Sequence, residues 1–154
     1  MATAFTIRRA SVADVEFVIR SNQRLAAETE ALQLDERQLR QGVLAVLEAR
    51  APGEYFIAER HGEPVGQLGI TYEWSDWRNR TIWWIQSVYV ESDARGRGAF
   101  RALYAHVRGE ALRAGAGGLR LYVDTHNRRA QQVYAALGMN GNHYQMYEDM
   151  FQGS

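Results

Sequence analysis

The sequence predicts one α/β domain over residues 1–154, in which a central mixed β-sheet is flanked by about four helices. Apolar residues recur at helical spacing in four segments, and runs of β-forming residues lie before, between and after them. The chain has 154 residues and a hydrophobic content of 46%, which suffices for one core and is too little for two. No internal repeat suggests any other organisation.

Two helices are predicted in the first third of the chain. Ser11 and Asp14 form a capping-box-like start, and apolar residues at helical spacing extend the first helix to about Glu28. Asp35 is a good N-cap for the second helix, which ends before Pro52. Both helices carry one apolar face, so we expect them to cover the sheet.

Strands are predicted on both sides of these helices. Residues 5–8 form a short first strand, and YFIAE and PVGQLGITYE flank a Gly-containing turn as a hairpin. The run TIWWIQSVYV is almost continuously apolar or β-forming, which is typical of a strand buried on both faces. We therefore place it at the centre of the sheet.

The last third of the chain predicts two more helices and two more strands. A helix over 98–114 ends at a cluster of glycines, GLRLYVD is a strand, 127–137 is a short helix, and HYQMYEDM is a final strand. The strand, helix and strand around residues 81–124 imply a parallel crossover.

Composition excludes several classes of protein and site. The chain has no cysteine, hence no disulfide, thiolate zinc site or cysteinyl intermediate, and its four histidines match no metal-binding spacing, so we expect no metal. Its formal net charge of zero argues against nucleic-acid binding. No apolar run reaches the ~20 residues needed to span a bilayer, and no signal peptide is evident. We expect a cytoplasmic protein that binds neither nucleic acid nor membrane.

One segment of the neutral chain is cationic. Residues 95–129 contain eight arginines and two acidic residues, and the chain has no lysine at all. The segment begins where the predicted central strand runs through Arg95-Gly96-Arg97-Gly98 into a helix. Helix N-termini and glycine-rich turns bind anions, whereas the alternative is an ordinary strand-to-helix turn. The phosphate loop of NTPases and the dinucleotide fingerprint are both absent.

Two motifs resemble those of the GNAT superfamily of N-acyltransferases. Arg95-x-x-Gly98-x, after a strand ending Val88-Tyr89-Val90, is similar to its acyl-CoA pyrophosphate motif. Asn127-x-x-Ala130-x-x-Val133-Tyr134-x-x-x-Leu137-Gly138-Met139 is similar to its second motif. The order of predicted elements agrees over the whole chain, while Phe100 and Met139 depart from the usual residues. The resemblance implies a GNAT-like fold and acetyl-CoA as co-substrate.

The resemblance also implies roles for individual residues. The backbone of Val88 and Val90 would pair with the pantetheine arm and polarise the thioester carbonyl, Asn127 would bond to CoA, and Tyr134 would protonate the leaving thiolate. The pyrophosphate would be held by the loop and first helical turn, namely Arg95, Gly96, Arg97, Gly98, Ala99, Phe100 and Arg101. As alternatives, Asn127 is a good helix N-cap and Tyr134 fits an apolar helix face.

The acceptor side is less well defined by the sequence. In some members of the superfamily a glutamate on the central strand is the base, near the position of Trp84 here, and this chain has no carboxylate between Arg80 and Val90. Glu73 is the first candidate for the base, acting directly or through water, and Glu28, Glu30 and Asp76 are the next candidates. Trp83 and Trp84 must point to opposite faces, so only one can face the acyl group. The candidate acceptor-binding residues are Glu28, Glu30, Trp74, Asp76, Trp77 and Trp84. Trp74 and Trp77, interleaved with Glu73 and Asp76, would form an aromatic and acidic wall around a cationic amine.

The function favoured by these residues is acetyl transfer from CoA directly to a primary amine of a small molecule. Two alternatives stay open, a non-catalytic module that senses CoA or another anion, and an N-acetyltransferase acting on proteins or peptides. A homodimer is compatible with the resemblance, because many members of the superfamily are dimers.

Overall fold

The computed structural model describes residues 5–153 and divides the chain into two compact units, one extending to Leu121 and one beginning at Tyr122. The first unit contains a five-stranded sheet and three helices, and the second contains one helix.

The sheet of the first unit is mixed and follows chain order. Its strands are β1 (Thr6–Arg9), β2 (Glu54–Arg60), β3 (Glu63–Ser75), β4 (Arg80–Val90) and β5 (Gly118–Arg120). The first four pair antiparallel, and β5 pairs with β4 in parallel. This confirms the predicted α/β class, the hairpin and the parallel crossover. The central strand of the prediction, β4, lies between β3 and β5.

The helices are α1 (Val15–Glu30), α2 (Glu36–Leu47) and α3 (Ala99–Arg113), and short 3-10 turns precede α1 and α3. The predicted caps are present. The amide of Ser11 donates to Asp14 Oδ2 at 2.8 Å, and the amide of Gln38 donates to Asp35 Oδ1 at 2.8 Å. Because each cap satisfies an amide that has no helical acceptor, Asp35 fixes where α2 begins, and Ser11 with Asp14 fixes the start of the 3-10 turn that leads into α1.

Each face of the sheet carries its own apolar core. The core on the α3 side contains Leu68, Ile70, Trp83, Ile85, Leu103 and Val107. The core on the α1 and α2 side contains Phe17, Val18, Ile19, Val43 and Ile57. Trp83 is 6% exposed within the first core. Burial of these side chains on both faces makes the sheet the rigid platform for any site built on it.

A β-bulge interrupts the pairing of β3 with β4. Gly69 is paired with Ser87 and Ile70 with Ile85, so Gln86 is an extra residue in β4. Gly69 has no room for a side chain here, since an added Cβ would lie 2.7 Å from the Tyr55 ring. The bulge therefore separates β4 into two segments whose side chains are in different phase.

In the second unit, α4 (Arg128–Ala136) forms as predicted, with Asn127 as its N-cap. The predicted strand HYQMYEDM is wrong for this structure, in which residues 143–150 have no regular secondary structure. The strand predicted over GLRLYVD is limited to its first three residues, Gly118–Arg120. A strand requires a partner for its ladder of hydrogen bonds, and within the described residues neither segment has one beyond Arg120.

Candidate active site

The turn between β4 and α3 has the geometry of an anion cradle. Gly96 and Gly98 have φ values of +75° and +94°, which residues with a side chain rarely adopt. No other atom lies within 4 Å of the position a Cβ would take at either glycine, so the turn is open on that side. The amide of Ala102 donates to Gly98 O at 3.0 Å, the first helical bond of α3. The amides of residues 99–101 in the first turn consequently have no helical acceptor.

The edge of β4 that leads to this cradle lacks a strand partner. β4 pairs with β3 along its whole length but with β5 only from Ile82 to Trp84. Between residues 85 and 90, the edge facing away from β3 pairs with no strand of the described chain. An extended ligand could hydrogen-bond to this edge as an added strand. Val88 and Val90, the predicted pantetheine-binding residues, lie within the unpaired segment.

Arg95 makes contacts that its sequence position did not predict. Its Nε donates to Val90 O at 2.9 Å, and its Nη2 contacts both oxygens of Glu28 at 3.0 and 3.1 Å. The guanidinium also lies over the Tyr89 ring, 5.2 Å from its centroid. Burial, followed by hydrogen bonding to Glu28, raises the pKa of the Tyr89 phenol. Arg95 thus joins the cradle to the end of α1, and a pyrophosphate contact would compete with Glu28.

The other residues predicted to form the cradle differ in their exposure to solvent and in their contacts. Arg97 and Arg101 are exposed, and Arg97 has no ion pair or side-chain hydrogen bond within residues 5–153. Ala99 is buried at 2% exposure, and Phe100 stacks on Tyr104 with ring centroids 6.3 Å apart. Because the donors of a cradle are backbone amides, the unusual Phe100 side chain leaves that function intact.

Polar and charged side chains line the sheet beyond the end of the α1 and α2 core. Glu73 Oε1 accepts from Arg120 Nη1 at 2.6 Å, and Gln86 Nε2 donates to Thr71 Oγ1 at 2.8 Å. Trp84 is paired with Thr71 on one side and Arg120 on the other, so the three lie on the same face. We call Thr71, Glu73, Trp84, Gln86 and Arg120 the acceptor face. Trp84 is its aromatic member, while Trp83 belongs to the core on the α3 side.

The predicted wall of Glu73, Trp74, Asp76 and Trp77 does not form one surface. Glu73 and Trp74 are consecutive in β3 and point to opposite faces. Trp74 is 63% exposed on the α3 side, where the neighbouring Tyr72 packs edge-to-face on Trp83. Trp77 is 90% exposed, and Asp76 is an exposed residue of the turn after β3. The sequence spacing was misleading because adjacent strand residues cannot share a face.

Distance restricts what Glu73 can do. Val88 is paired with Leu68, and Glu73 lies five residues further along β3, which is about 17 Å of extended chain. A group that takes a proton directly must be within hydrogen-bond reach of it. An amine reacting beside Val88 is therefore too far for direct proton transfer to Glu73, and only a relay through water would connect them. Glu28 is paired with Arg95, and Glu30 is exposed at the end of α1.

The second unit presents the two residues of the second motif. Asn127 Oδ1 accepts from the amide of Ala130 at 3.1 Å, so the helix-cap role suggested by the sequence is present. Burial raises the pKa of the Tyr134 phenol, which keeps it protonated at neutral pH. Asp124 orders the preceding loop by accepting from the amide of His126 at 2.7 Å, a hydrogen bond that lowers the pKa of Asp124.

Thr71, Gln86 and Arg120 are the members of the acceptor face that the sequence did not suggest. Arg120 is a charged residue inside a predicted strand, and its pairing opposite Trp84 could not be read without the register of β5. Gln86 is a polar residue in the middle of a largely apolar run, which is the sequence signal that could have marked it.

Among residues 5–153, no group of three or more His, Asp or Glu side chains is arranged to hold a metal ion. No helix in the described part of the chain has the length and apolar character needed to cross a membrane.

Comparison with known proteins agrees with this geometry. Residues 19–139 match the model of the acetyltransferase (GNAT) family. A thialysine N-epsilon-acetyltransferase of Bos taurus is 35% identical over 87 residues, or 53% of this chain, and the chain spans about half, 51%, of that relative. The crystal structure of a possible acetyltransferase from Clostridium difficile 630 is 37% identical, with a TM-score of 0.88 over 96% of this chain and 97% of that one. An aminoglycoside N-acetyltransferase in complex with CoA shares the fold, with a TM-score of 0.80 and 16% identity over 97% of each chain. The chain belongs to the GNAT family of acetyltransferases.

Proposed function

We propose that this protein is an acetyl-CoA-dependent N-acetyltransferase that acts on a primary amine of a small molecule. The observation that carries the proposal is that the unpaired edge of β4 and the glycine turn before α3 follow each other along the chain. The unpaired edge of β4 runs directly into the open glycine turn and the free amides of α3. An extended arm that ends in a pyrophosphate fits this combination.

Residues on both features would hold acetyl-CoA, which supplies an activated acetyl group as a thioester. The amides of Gly96, Gly98 and residues 99–101 would bind the pyrophosphate, and Arg97 would add a charge-assisted contact. The backbone of Val88 and Val90 would hold the pantetheine arm, and Asn127 would bond to it through Nδ2, since its Oδ1 caps α4. The surplus of arginine in residues 95–129 suits a ligand with three phosphates.

Transfer requires two proton movements, and the chain offers a group for one of them. The acceptor amine must lose a proton to attack, and Glu73 would receive it only through water because of its distance from Val88. The Tyr134 phenol would donate a proton to the leaving sulfur, since burial keeps it protonated. No cysteine is present to carry the acetyl group, so the amine attacks the thioester directly.

The acceptor is proposed to be small. The Bos taurus relative is named for thialysine, and the fold neighbour bound to CoA is named for aminoglycosides, so both names point to small amines. The acceptor face combines one aromatic side chain, Trp84, with the charges of Glu73 and Arg120. We further propose that residues 1–154 act as one domain in the cytoplasm and form a homodimer, to which the exposed Tyr147 and Phe151 would contribute apolar surface.

The test is CoA release in the presence of a panel of small amines and a peptide, compared with thermal stabilisation by CoA alone. We expect stabilisation by CoA and release with at least one small amine. Stabilisation without release on any amine would identify a CoA-sensing module instead. Release with the peptide only would identify a protein or peptide N-acetyltransferase.

A further inference from the structure

The Glu73 and Arg120 side chains form an ion pair across the central strand of the sheet. They belong to β3 and β5, which flank β4, and the pair bridges them over the acceptor face. Both charges therefore lie beside Trp84, at one place, on the surface where the proposed function puts the acceptor.

The fold does not need this pair for its stability. The Glu73 side chain is 42% exposed and the Arg120 side chain 29% exposed, and ion pairs so open to water contribute little to the free energy of unfolding. For the same reason the pair can open at small cost to admit a ligand. The second oxygen of Glu73, Oε2, makes no hydrogen bond within residues 5–153. It is thus available to a donor from outside the chain.

The position of the pair suits the far end of an acceptor and not its reacting end. Glu73 lies about 17 Å of strand from the residue opposite Val88, where the thioester would be. The acceptor has to bridge this distance along the strand, together with the side chains of Glu73 and Arg120 that would hold its far end. An ammonium group at Glu73 and a carboxylate at Arg120, a few ångströms apart, are what a zwitterionic head group presents.

We propose that the acceptor is an α-amino acid whose side chain ends in the reacting primary amine. Glu73 binds the α-ammonium and Arg120 the α-carboxylate, so that each side chain of the opened pair keeps an opposite charge beside it. The inference rests on the proposed function for the identity of the reaction. It adds the chemical class of the substrate, and it makes Glu73 an anchor for the head group in place of a water-linked base.

Three acceptors of matched length test this by kinetics. L-Lysine has both head-group charges, 1,5-diaminopentane lacks the carboxylate, and 6-aminohexanoate lacks the α-ammonium. We expect kcat/KM for L-lysine to exceed both others about ten- to a hundredfold, as charged hydrogen bonds allow. Arg120→Gln should abolish the advantage over 1,5-diaminopentane, and Glu73→Gln the advantage over 6-aminohexanoate, mainly through KM. Arg120→Lys should restore part of the preference.

A binding measurement separates this inference from the proposed function. L-Norleucine carries the head group without a reacting amine, and 1-aminopentane is the same molecule without the carboxylate. In calorimetry with CoA present, we expect wild-type protein to bind L-norleucine at least tenfold more tightly, and Arg120→Gln to bind both alike. Arg50→Gln, which removes an exposed ion pair with Glu48 elsewhere, is the control and should behave as wild type.

The outcomes are distinct. If no amine is acetylated but L-norleucine is preferred and Arg120→Gln removes the preference, the head-group site stands and the transferase proposal fails. If amines are acetylated with no preference for L-lysine, or if Arg120→Gln lowers kcat/KM equally for all three acceptors, the head-group site is refuted. Thermal stabilisation of each variant by CoA shows that it is folded.

Discussion

Substitution of Gly98 by alanine tests the anion cradle with little else disturbed. Gly98 has a φ of +94°, and no atom lies within 4 Å of the position that a new Cβ would take. The cost to the fold is therefore conformational and not steric. A side chain in the left-handed region costs about 1–2 kcal/mol, which for a domain of this size lowers Tm by about 2–8 °C. The new methyl group, however, lies where an anion would approach the amides of α3.

Gly115 provides the matched control at the other end of α3. Its φ is +77° and its surroundings are equally open, so Gly115→Ala should cost a similar free energy of unfolding. In calorimetric titrations with CoA, we expect Gly98→Ala to weaken binding tenfold or more and Gly115→Ala to leave it unchanged. Urea denaturation of both variants checks that their stabilities match. Equal CoA affinities for the two variants would show that the turn before α3 is structural only.

Three further predictions concern stability, catalysis and assembly. Asp14→Asn should lower the free energy of unfolding at pH 7 by about 2 kcal/mol, because it removes a charged hydrogen-bond partner of Arg8. Arg8 lowers the pKa of Asp14 in the folded protein below its value of about 4 in the unfolded chain. The stabilisation is therefore present above the unfolded pKa and is lost as the pH falls through the folded pKa. Urea denaturation as a function of pH should show that the free energy of unfolding depends less on acid pH in the variant. Tyr134→Phe should lower kcat about a hundredfold while the calorimetric affinity for CoA is kept, and an unchanged kcat would exclude it as the proton donor. Replacing both Tyr147 and Phe151, which are 89% and 78% exposed, by serine should convert a dimer to a monomer in light scattering, whereas a wild-type monomer would contradict the proposed assembly.

The sequence predicted best those features that depend on local patterns. Asp35 caps α2 and Asn127 caps α4 because a short polar side chain can reach the first free amides of a helix wherever that helix packs. Gly96 and Gly98 were informative for a similar reason, since the turn requires positive φ. The motifs therefore indicated the cradle without knowledge of the tertiary structure.

Features that depend on register could not be predicted in this way. The predicted wall of Glu73, Trp74, Asp76 and Trp77 does not form, because consecutive residues of a strand, such as Glu73 and Trp74, point to opposite faces. Arg120 was not recognised because its distance to Glu73 depends on how β5 pairs with β4. The prediction of a strand at residues 143–150 was wrong because β-forming residues indicate only a preference, whereas a strand also requires a partner strand for its hydrogen bonds.

The bulge at Gln86 makes β4 tolerant of sequence change but intolerant of a change in length. Before it, Trp83 and Ile85 pack against the α3 side; after it, Val88 and Val90 do so. The odd-numbered positions of the first segment and the even-numbered positions of the second thus share one face, which explains why the run looked apolar throughout. Deleting one residue would turn both valines to the opposite face and reorient the amides next to the cradle. The half of β4 that contains Trp84 can therefore change by substitution, whereas the number of residues between it and the half that leads to the glycine turn has to be kept for both valines to stay on their face.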